Sequence, residues 1–289
     1  MIPFGAYLVY GPVGPMSNSG THDFGGAYFY ILLGTWALVM VWRAKPRPGA
    51  VEGDHARAPI PHSMPFVILG LMLFMAGLCG YVLLNGFLVD GAGFFGITLN
   101  ESGMGIVLTN LMLTIMVGGL GGLLAWKMTK NVFFLLTAPI AGWVAASASM
   151  DVVKPWQSGA IAFFAPLVVV GCHKVMIRAR LDDIKIVPLT LGPAVYGALV
   201  TGIVAGGTKQ GGYVGLKGKY AFQHASIGLG HQPSASSRSS CSVLSPHWSS
   251  CSSSSVSSVC ARSRSTTASI RTWISPSSLG PDTALTPRP

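Results

Sequence analysis

Long apolar stretches separated by short polar segments run along most of the chain. The stretches are 26–42, Met64–Leu84, 103–126, 132–148, 159–177 and 188–206. A helix needs about 20 mostly apolar residues to cross the hydrocarbon core of a bilayer, and each stretch reaches or approaches that length. The fourth is one of the two shortest and contains Pro139 and Gly142, so we expect it to be bent or broken. The pattern predicts an all-α, polytopic membrane bundle of about six helices.

The loops between the stretches alternate between basic and basic-poor. The odd-numbered loops are rich in Lys and Arg. The first holds Arg43, Lys45, Arg47 and Arg57, the third Lys127 and Lys130, and the fifth Lys174, Arg178, Arg180 and Lys185. The second loop has Asp90 and Glu101 but no Lys or Arg, and the fourth has only Lys154. Because Lys and Arg are retained in the cytoplasm, the alternation predicts odd loops inside and residue 1 outside. We expect a multi-pass protein of the cell (inner) membrane with its N-terminus outside.

Composition agrees with a lipid environment. Hydrophobic residues make up 50% of the 289 residues, charged residues only 10%, and the mean hydropathy is +0.54; soluble domains carry about 25% charged residues. The net charge of +10 falls in clusters at the ends of apolar stretches, which favours membrane lipid and not nucleic acid as the partner. The five cysteines show no CxxC spacing, so no metal site or cofactor is expected.

The pattern also predicts how the chain is divided into segments, and it disfavours one class of protein. Residues 1–25 are predicted to be an extracytoplasmic lead-in, 26–206 the membrane domain, and 207–232 an extracytoplasmic loop. Residues 233–289 are rich in Ser, Arg and Pro, which predicts a disordered tail or the product of a reading-frame shift after Gln232. An intramembrane enzyme is disfavoured, since no apolar stretch holds a nucleophile and a base at helical spacing.

Small residues recur within two stretches. They are Gly118, Gly119, Gly121 and Gly122 in the third, and Gly192, Ala194, Gly197, Ala198 and Gly202 in the sixth. Such residues let helix backbones approach closely in a solvent that offers no hydrophobic drive for association. Tight packing is the first interpretation, and a narrow conduit between closely packed helices is the second.

Five short motifs occur in a fixed order and together resemble the ammonium transporter (Amt/Mep/Rh) family. They are the Asp-Phe-Gly-Gly of 23–26, Thr109-Asn110, the Ala-Gly-Trp-Val of 141–144, Asp182-Asp183 followed by the Gly-Ala-Leu-Val-Thr-Gly of 197–202, and the Gly-His-Gln of 230–232. The family equivalents are an Asp-Phe-Ala-Gly-Gly signature, an Asn-Thr region, an Ala-Gly-Leu-Val segment, an Asp-Asp loop and a Gly-His-Gln. The resemblance covers residues 23–232.

The resemblance implies a fold and a function. The matched residues would correspond to helices five to ten of eleven in a fold of two inverted repeats, so a divergent or truncated member is expected. It also implies passage of ammonium or ammonia through a pore in each subunit of a homotrimer, with a PII-type cytoplasmic regulator. In the family an aromatic recruitment site, a Phe gate and two pore histidines line the path.

The chain departs from the family at these pore residues. The first histidine corresponds to Ile31 or, with a one-residue slip, to Tyr30; the second corresponds to Thr190 or Leu191. The inner Phe of the gate falls near Tyr81. We therefore expect transport to be impaired, and a non-conducting structural or sensory relative is the alternative.

Two other groups of residues are singled out. Asp23 and Asn110 are further candidates for the substrate pathway, although Asp23 is expected mainly to order the backbone at the start of the first helix. The fifth loop carries Arg178, Arg180, Asp182 and Asp183, which form either a solvated charge cluster or a surface for a regulator.

Overall fold

The structure, a computed structural model, is a helical bundle with one short β-hairpin. It describes residues 20–46, 63–89, 93–96, 104–183, 185–208, 226–233 and 236. The helices are α1 Ala27–Ala44, α2 Met64–Leu84, α3 Met104–Thr129, α4 Val132–Ala146, α5 Pro155–Arg178 and α6 Ile186–Val204. The antiparallel strands β1 Gly86–Val89 and β2 Gly93–Gly96 follow α2, and the sequence did not predict them. The predicted tail lies outside the described residues, apart from Pro233 and Ser236.

Five of the helices, α1, α2, α3, α5 and α6, are long and apolar enough to cross a membrane. Helix α4 has 15 residues, which at about 1.5 Å per residue gives roughly 22 Å, short of the hydrocarbon core of about 30 Å. The chain after α4 continues through buried turns at 147–153. The fourth stretch thus forms the shortest of the described helices, and non-helical backbone follows it inside the protein, where neighbouring helices shield it from lipid.

Helix boundaries differ from the apolar stretches by a few residues. Helix α5 starts at Pro155, before the predicted 159, and α6 starts at Ile186, before the predicted 188. The reason is that capping groups decide where a helix begins, whereas hydrophobicity marks only the part in hydrocarbon. Pro155 at the first helical position suits the start of α5, because proline needs no backbone N–H partner there.

Close packing of α3 against α4 and α5 uses the predicted glycines. A Cβ built on Gly118 would stand 3.0 Å from the Ala138 carbonyl oxygen and 3.1 Å from the Cα of Gly142. Glycines 118, 121 and 122 are buried in this contact. The small residues of α3 therefore serve helix packing, the first of the two interpretations.

Helix α2 lies at the edge of the bundle. Only Leu78 and Val82 are buried in it, and Phe66 is 72% exposed. Glycines 70, 77 and 80 on this helix have no neighbour that a Cβ would meet within 4 Å. An apolar surface of this kind suits contact with lipid or with another helix.

The two ends of the bundle differ in chemistry. At one end, which we call the basic end, Ala37 of α1, Met176 of α5 and Val187 of α6 form a small apolar cluster. Among the described residues every Lys and Arg except Lys154 lies at this end: Arg43, Lys45, Lys127, Lys130, Lys174, Arg178, Arg180 and Lys185. Lys45, Lys130 and Arg180 follow the C-termini of α1, α3 and α5 with positive φ, where their charge complements the helix dipole.

The opposite end, which we call the polar end, is built from 20–26, 147–154 and 226–232. The backbone N–H of Gly25 donates to the Ser147 carbonyl at 2.6 Å, and that of Phe24 donates to the Ala148 carbonyl at 3.3 Å. A Cβ on Gly25 would lie 2.9 Å from both Cβ and O of Ser147, so this position accepts no larger residue without movement. Glycine here allows the two backbones to pair directly.

Candidate functional site

Asp23 caps the start of α1 from a fully buried position. Its Oδ1 accepts hydrogen bonds from the backbone N–H of Gly26 at 2.9 Å and of Ala27 at 2.8 Å, and its Oδ2 accepts from that of Tyr28 at 2.9 Å. Gly26, with φ of 88°, supplies the left-handed turn that brings these donors to one carboxylate. The arrangement satisfies three of the free N–H groups of the helix and places negative charge at the positive end of its dipole.

Next to this cap lies a buried histidine–aspartate pair that the sequence did not predict. The His22 Nε2 lies 2.8 Å from Oδ1 of Asp151, and both side chains have no exposed surface. The pair joins the segment before α1 to the turn between α4 and α5. The signal available in the sequence was Asp151 itself, an acidic residue between apolar stretches; its partner, 129 residues away, only the fold brings near.

Gln232 connects the same region to the segment after α6. It is fully buried and accepts a hydrogen bond from the Tyr28 hydroxyl at its side chain. Its amide nitrogen donates to the His22 carbonyl at 3.3 Å. The Gly-His-Gln motif therefore holds the polar end together, a role that its short match to the family did not indicate.

Three aromatic rings form a cluster about one helical turn from the polar end, toward the middle of the bundle. The ring of Trp143 on α4 packs edge-to-face on Tyr30 of α1, with centroids 5.2 Å apart, and on Tyr81 of α2 at 5.7 Å. The Tyr81 hydroxyl donates to the Gly25 carbonyl at 3.4 Å. Trp143 is fully buried, and its indole N–H has no hydrogen-bond partner among the described residues. Two predicted site residues, Tyr30 and Tyr81, thus both contact Trp143, a residue that was not predicted.

Further along α1, Gly34 packs against α6 at Thr190 and Leu191, two other predicted site residues. A Cβ on Gly34 would stand 2.7 Å from both the Cβ of Leu191 and the Oγ1 of Thr190. Tyr30 and Ile31 lie one helical turn before this crossing, and Ile31 is fully buried. The Thr190 hydroxyl donates to the Ile186 carbonyl at 2.6 Å. The structure therefore places Thr190 and Leu191 against Gly34 of α1, one helical turn from Tyr30 and Ile31.

Asn110 is fully buried on α3 and bonds the turn that carries Asp151. Its Nδ2 donates to the Met150 carbonyl at 2.7 Å and to the Val153 carbonyl at 3.0 Å. Side-chain donation of this kind satisfies carbonyls that a turn leaves free. The structure thus places this candidate at the polar end, in contact with the α4–α5 turn.

The charged residues of the fifth loop lie at the basic end. Asp183 accepts hydrogen bonds from the backbone N–H of Lys185 at 2.8 Å, Ile186 at 3.1 Å and Val187 at 2.7 Å, and so caps α6. Arg178 ends α5, and Arg180 has φ of 56°. Asp183 therefore has a structural use that neither interpretation of this loop included.

These elements define the class of the molecule: a polytopic α-helical membrane protein with a buried polar end and a basic end. Residues 1–237 match the model of the Ammonium Transporter Family, and the chain belongs to that family. It is 29% identical over 185 residues to the ammonium transporter Amt2 of Methanocaldococcus jannaschii, a match that covers 63% of this chain and 41% of the relative. It is 28% identical over 206 residues to the putative ammonium transporter 1 member 5 of Arabidopsis thaliana, covering 65% and 39% respectively.

Solved structures agree at the level of the fold. The crystal structure of Candida albicans Mep2 superimposes with a TM-score of 0.65 at 20% identity, covering 83% of this chain and 52% of that one. A sensor Amt protein superimposes with a TM-score of 0.64 at 20% identity, covering 84% and 58%. The chain thus spans less than half the length of the two curated relatives and little more than half of these structures.

Proposed function

We propose that this chain takes part in the passage of ammonium or ammonia across the cell membrane, through a path that starts at the polar end. The observation that carries the proposal is the crossing of α1 and α6 at Gly34, where α1 packs directly on Thr190 and Leu191 one helical turn after Tyr30 and Ile31. These are the positions at which the family resemblance implies a pore lining. Membership of the Ammonium Transporter Family supports the substrate.

The proposed path has two parts. At its outer part the rings of Tyr30, Tyr81 and Trp143 supply aromatic surface, which attracts a cation. Deeper in the bundle, at the crossing, the apolar side chains of Ile31 and Leu191 make passage of a charge costly. Without imidazoles at the crossing, neutral ammonia has only hydroxyl groups as hydrogen-bond partners, so we propose a low flux.

Restoring the two imidazoles tests this function. The chain and its Ile31→His/Leu191→His and Tyr30→His/Thr190→His double variants are reconstituted in lipid vesicles, and uptake of methylammonium is measured. We expect slow uptake by the unaltered chain and faster uptake by one double variant. Uptake equal to that of protein-free vesicles by all three proteins would reject the proposal. A Gly77→Ala variant on the edge helix α2 is the matched control, and its uptake should equal that of the unaltered chain.

A non-conducting relative is the second candidate, and Trp143 favours it. The resemblance puts a Leu where Trp143 stands, and the larger indole packs edge-to-face on both Tyr30 and Tyr81, the two other rings of the proposed path. Under this hypothesis the indole blocks the path. Trp143→Leu should then raise methylammonium uptake, with or without restored histidines, while an unchanged uptake would remove the reason for a block at Trp143.

Orientation and partners complete the proposal. Lys and Arg prefer the cytoplasmic side, so the basic end would face the cytoplasm and the polar end the outside. With the five native cysteines replaced by Ser, cysteine labelling of Lys154→Cys and Arg180→Cys in intact cells, with a membrane-impermeant reagent, should modify only the former. Assembly as a homotrimer and docking of a PII-type regulator at the basic end are further proposals drawn from the family resemblance.

A further inference from the structure

One face of α3 is exposed along the half of the helix that leads to the basic end. Met116 is 69% exposed and Leu120 is 57% exposed, and Leu123 and Lys127 are exposed as well. These four residues follow one another at spacings of four, three and four, so they lie on the same side of the helix. The glycines of α3 that pack against α4 and α5 lie on the opposite side. We call the exposed Met116, Leu120 and Leu123 the α3 stripe, and a lysine follows at its end.

The length of the α3 stripe matches one leaflet of a bilayer. Helix α3 is long and apolar enough to cross a membrane, so lipid covers the side that the protein leaves exposed. From Met116 to Lys127 the helix rises by about 16 Å at about 1.5 Å per residue, close to half of a hydrocarbon core of about 30 Å. Trp126 beside Lys127 is exposed, and tryptophan is enriched at the level of the headgroups. Lys127 therefore comes to headgroup depth when an acyl chain lies along the α3 stripe.

Two lysines stand at the end of the α3 stripe. Lys127 lies in the last turn of α3 and Lys130 just after it, and both are exposed. The backbone N–H of Lys130 donates to the Trp126 carbonyl at 2.7 Å, which holds Lys130 against that turn. Neither ammonium group takes part in an ion pair within the part of the chain that the structure describes. Their two charges exceed the charge of about −0.5 at the C-terminus of a helix, so the site is positive.

Acidic residues distinguish the basic end of α5 from that of α3. Asp182 and Asp183 follow Arg178 closely in the chain, and the Asp183 carboxylate interacts electrostatically with His173 of α5. The sequence from 102 to 150, which contains all of α3 and α4, has no Asp or Glu. An anion at the end of α5 would be repelled by nearby carboxylates. The end of α3 is therefore the more favourable position for a negatively charged group.

We propose that the α3 stripe, Lys127 and Lys130 bind an anionic phospholipid at the basic end. The lysines donate charge-assisted hydrogen bonds to the phosphate oxygens, and an acyl chain lies along the α3 stripe. A zwitterionic phospholipid carries a positive charge of its own in the headgroup, so two lysines attract it less than an anionic one. The site lies on the outer surface of the bundle, and it does not depend on the proposed path for ammonium.

Thermal unfolding of the full chain in micelles of a neutral detergent tests the site. The unfolding midpoint is measured with increasing phosphatidylglycerol, and with phosphatidylcholine that has the same acyl chains. A ligand that binds only the folded state raises the midpoint, so we expect a saturable rise that is larger for phosphatidylglycerol. Lys127→Gln/Lys130→Gln should weaken the apparent affinity for phosphatidylglycerol about tenfold or more, because both charges that hold the headgroup are lost.

The matched control is Lys174→Gln/Arg178→Gln, which also removes two exposed positive charges at the basic end. This variant should change the apparent affinity by less than about twofold, because Lys127 and Lys130 still hold the headgroup. An equal loss of affinity in the two double variants would show a diffuse effect of charge and would overturn the site.

A further arm needs no substitution and so does not depend on the folding of a variant. Inorganic phosphate at millimolar concentration has the charge without an acyl chain and should leave the midpoint unchanged. A rise with inorganic phosphate as large as that with phosphatidylglycerol would reject a lipid as the ligand. Equal rises with the two phospholipids, or no saturable rise with either, would reject recognition of an anionic headgroup.

Discussion

Two aspartates cap two helices of this bundle in the same way, and their surroundings make them different. Asp23 at the start of α1 and Asp183 at the start of α6 each accept three backbone hydrogen bonds. Asp23 is fully buried beneath the paired segments of the polar end, whereas Asp183 lies partly exposed among basic residues. Water can replace the hydrogen bonds of the second cap but not those of the first. The same local chemistry should therefore contribute very different amounts to stability.

The largest expected effect comes from Asp23→Ala. Three backbone N–H groups would lose their acceptor in a fully buried region, at about 1–3 kcal/mol each, so the free energy of unfolding should fall by about 4 kcal/mol. The same substitution at Asp183 should cost only about 1 kcal/mol, as for an ordinary helix cap. Denaturant unfolding in detergent micelles, followed by the loss of helical circular dichroism, measures both. An equal fall in the free energy of unfolding for the two variants would show that burial does not make the Asp23 cap the stronger of the two.

The next effect concerns His22, the neighbour of the buried cap. His22→Leu would leave the Asp151 carboxylate buried without its partner, and breaking such a pair costs about 3 kcal/mol or more. If the loss comes from the stranded charge, the double variant His22→Leu/Asp151→Leu should be more stable than His22→Leu alone. A double-mutant cycle on the unfolding free energies provides the measurement, and strictly additive losses would show that the pair is not coupled.

The smallest of the three effects tests the packing that buries the Asp23 cap. Gly25→Ala would place a methyl group 2.9 Å from Ser147, and overpacking of this kind costs about 1–3 kcal/mol. Gly77→Ala on α2 is the matched control, since nothing lies within 4 Å of its added methyl group; it should leave stability unchanged or raise it by about 0.5–1 kcal/mol. Thermal unfolding midpoints of the two variants compare them directly, and a Gly25→Ala protein as stable as the control would show that Ser147 yields without cost.

Much of the fold was predictable because its cause is local. A run of about 20 apolar residues forms a helix in lipid whatever its neighbours are, since the backbone has no other hydrogen-bond partners there. For this reason the six apolar stretches correspond to α1–α6. The hairpin of β1 and β2 was not predicted, and its phenylalanines and glycines gave no clear alternation of apolar and polar residues.

The candidate site was predictable only in part. The family resemblance predicted Asp23, Tyr30, Tyr81 and Thr190 as site residues, and the structure brings Tyr30 and Tyr81 onto the same tryptophan. Trp143 itself was missed, because a tryptophan in an apolar stretch has no distinctive pattern and the motif match counted only its neighbours. Its importance follows from packing between helices that are far apart in the chain.

The sequence by itself determined that the chain is a membrane protein, where its helices lie, which end is basic and which family it resembles. All of these depend on the type and order of residues along the chain, which act on the solvent and on the local backbone. The tertiary structure decided the contacts of His22 with Asp151, of Asn110 with the α4–α5 turn and of Gln232 with Tyr28. A buried polar group must find its partner across the fold, and spacing along a chain carries no record of which partner that is.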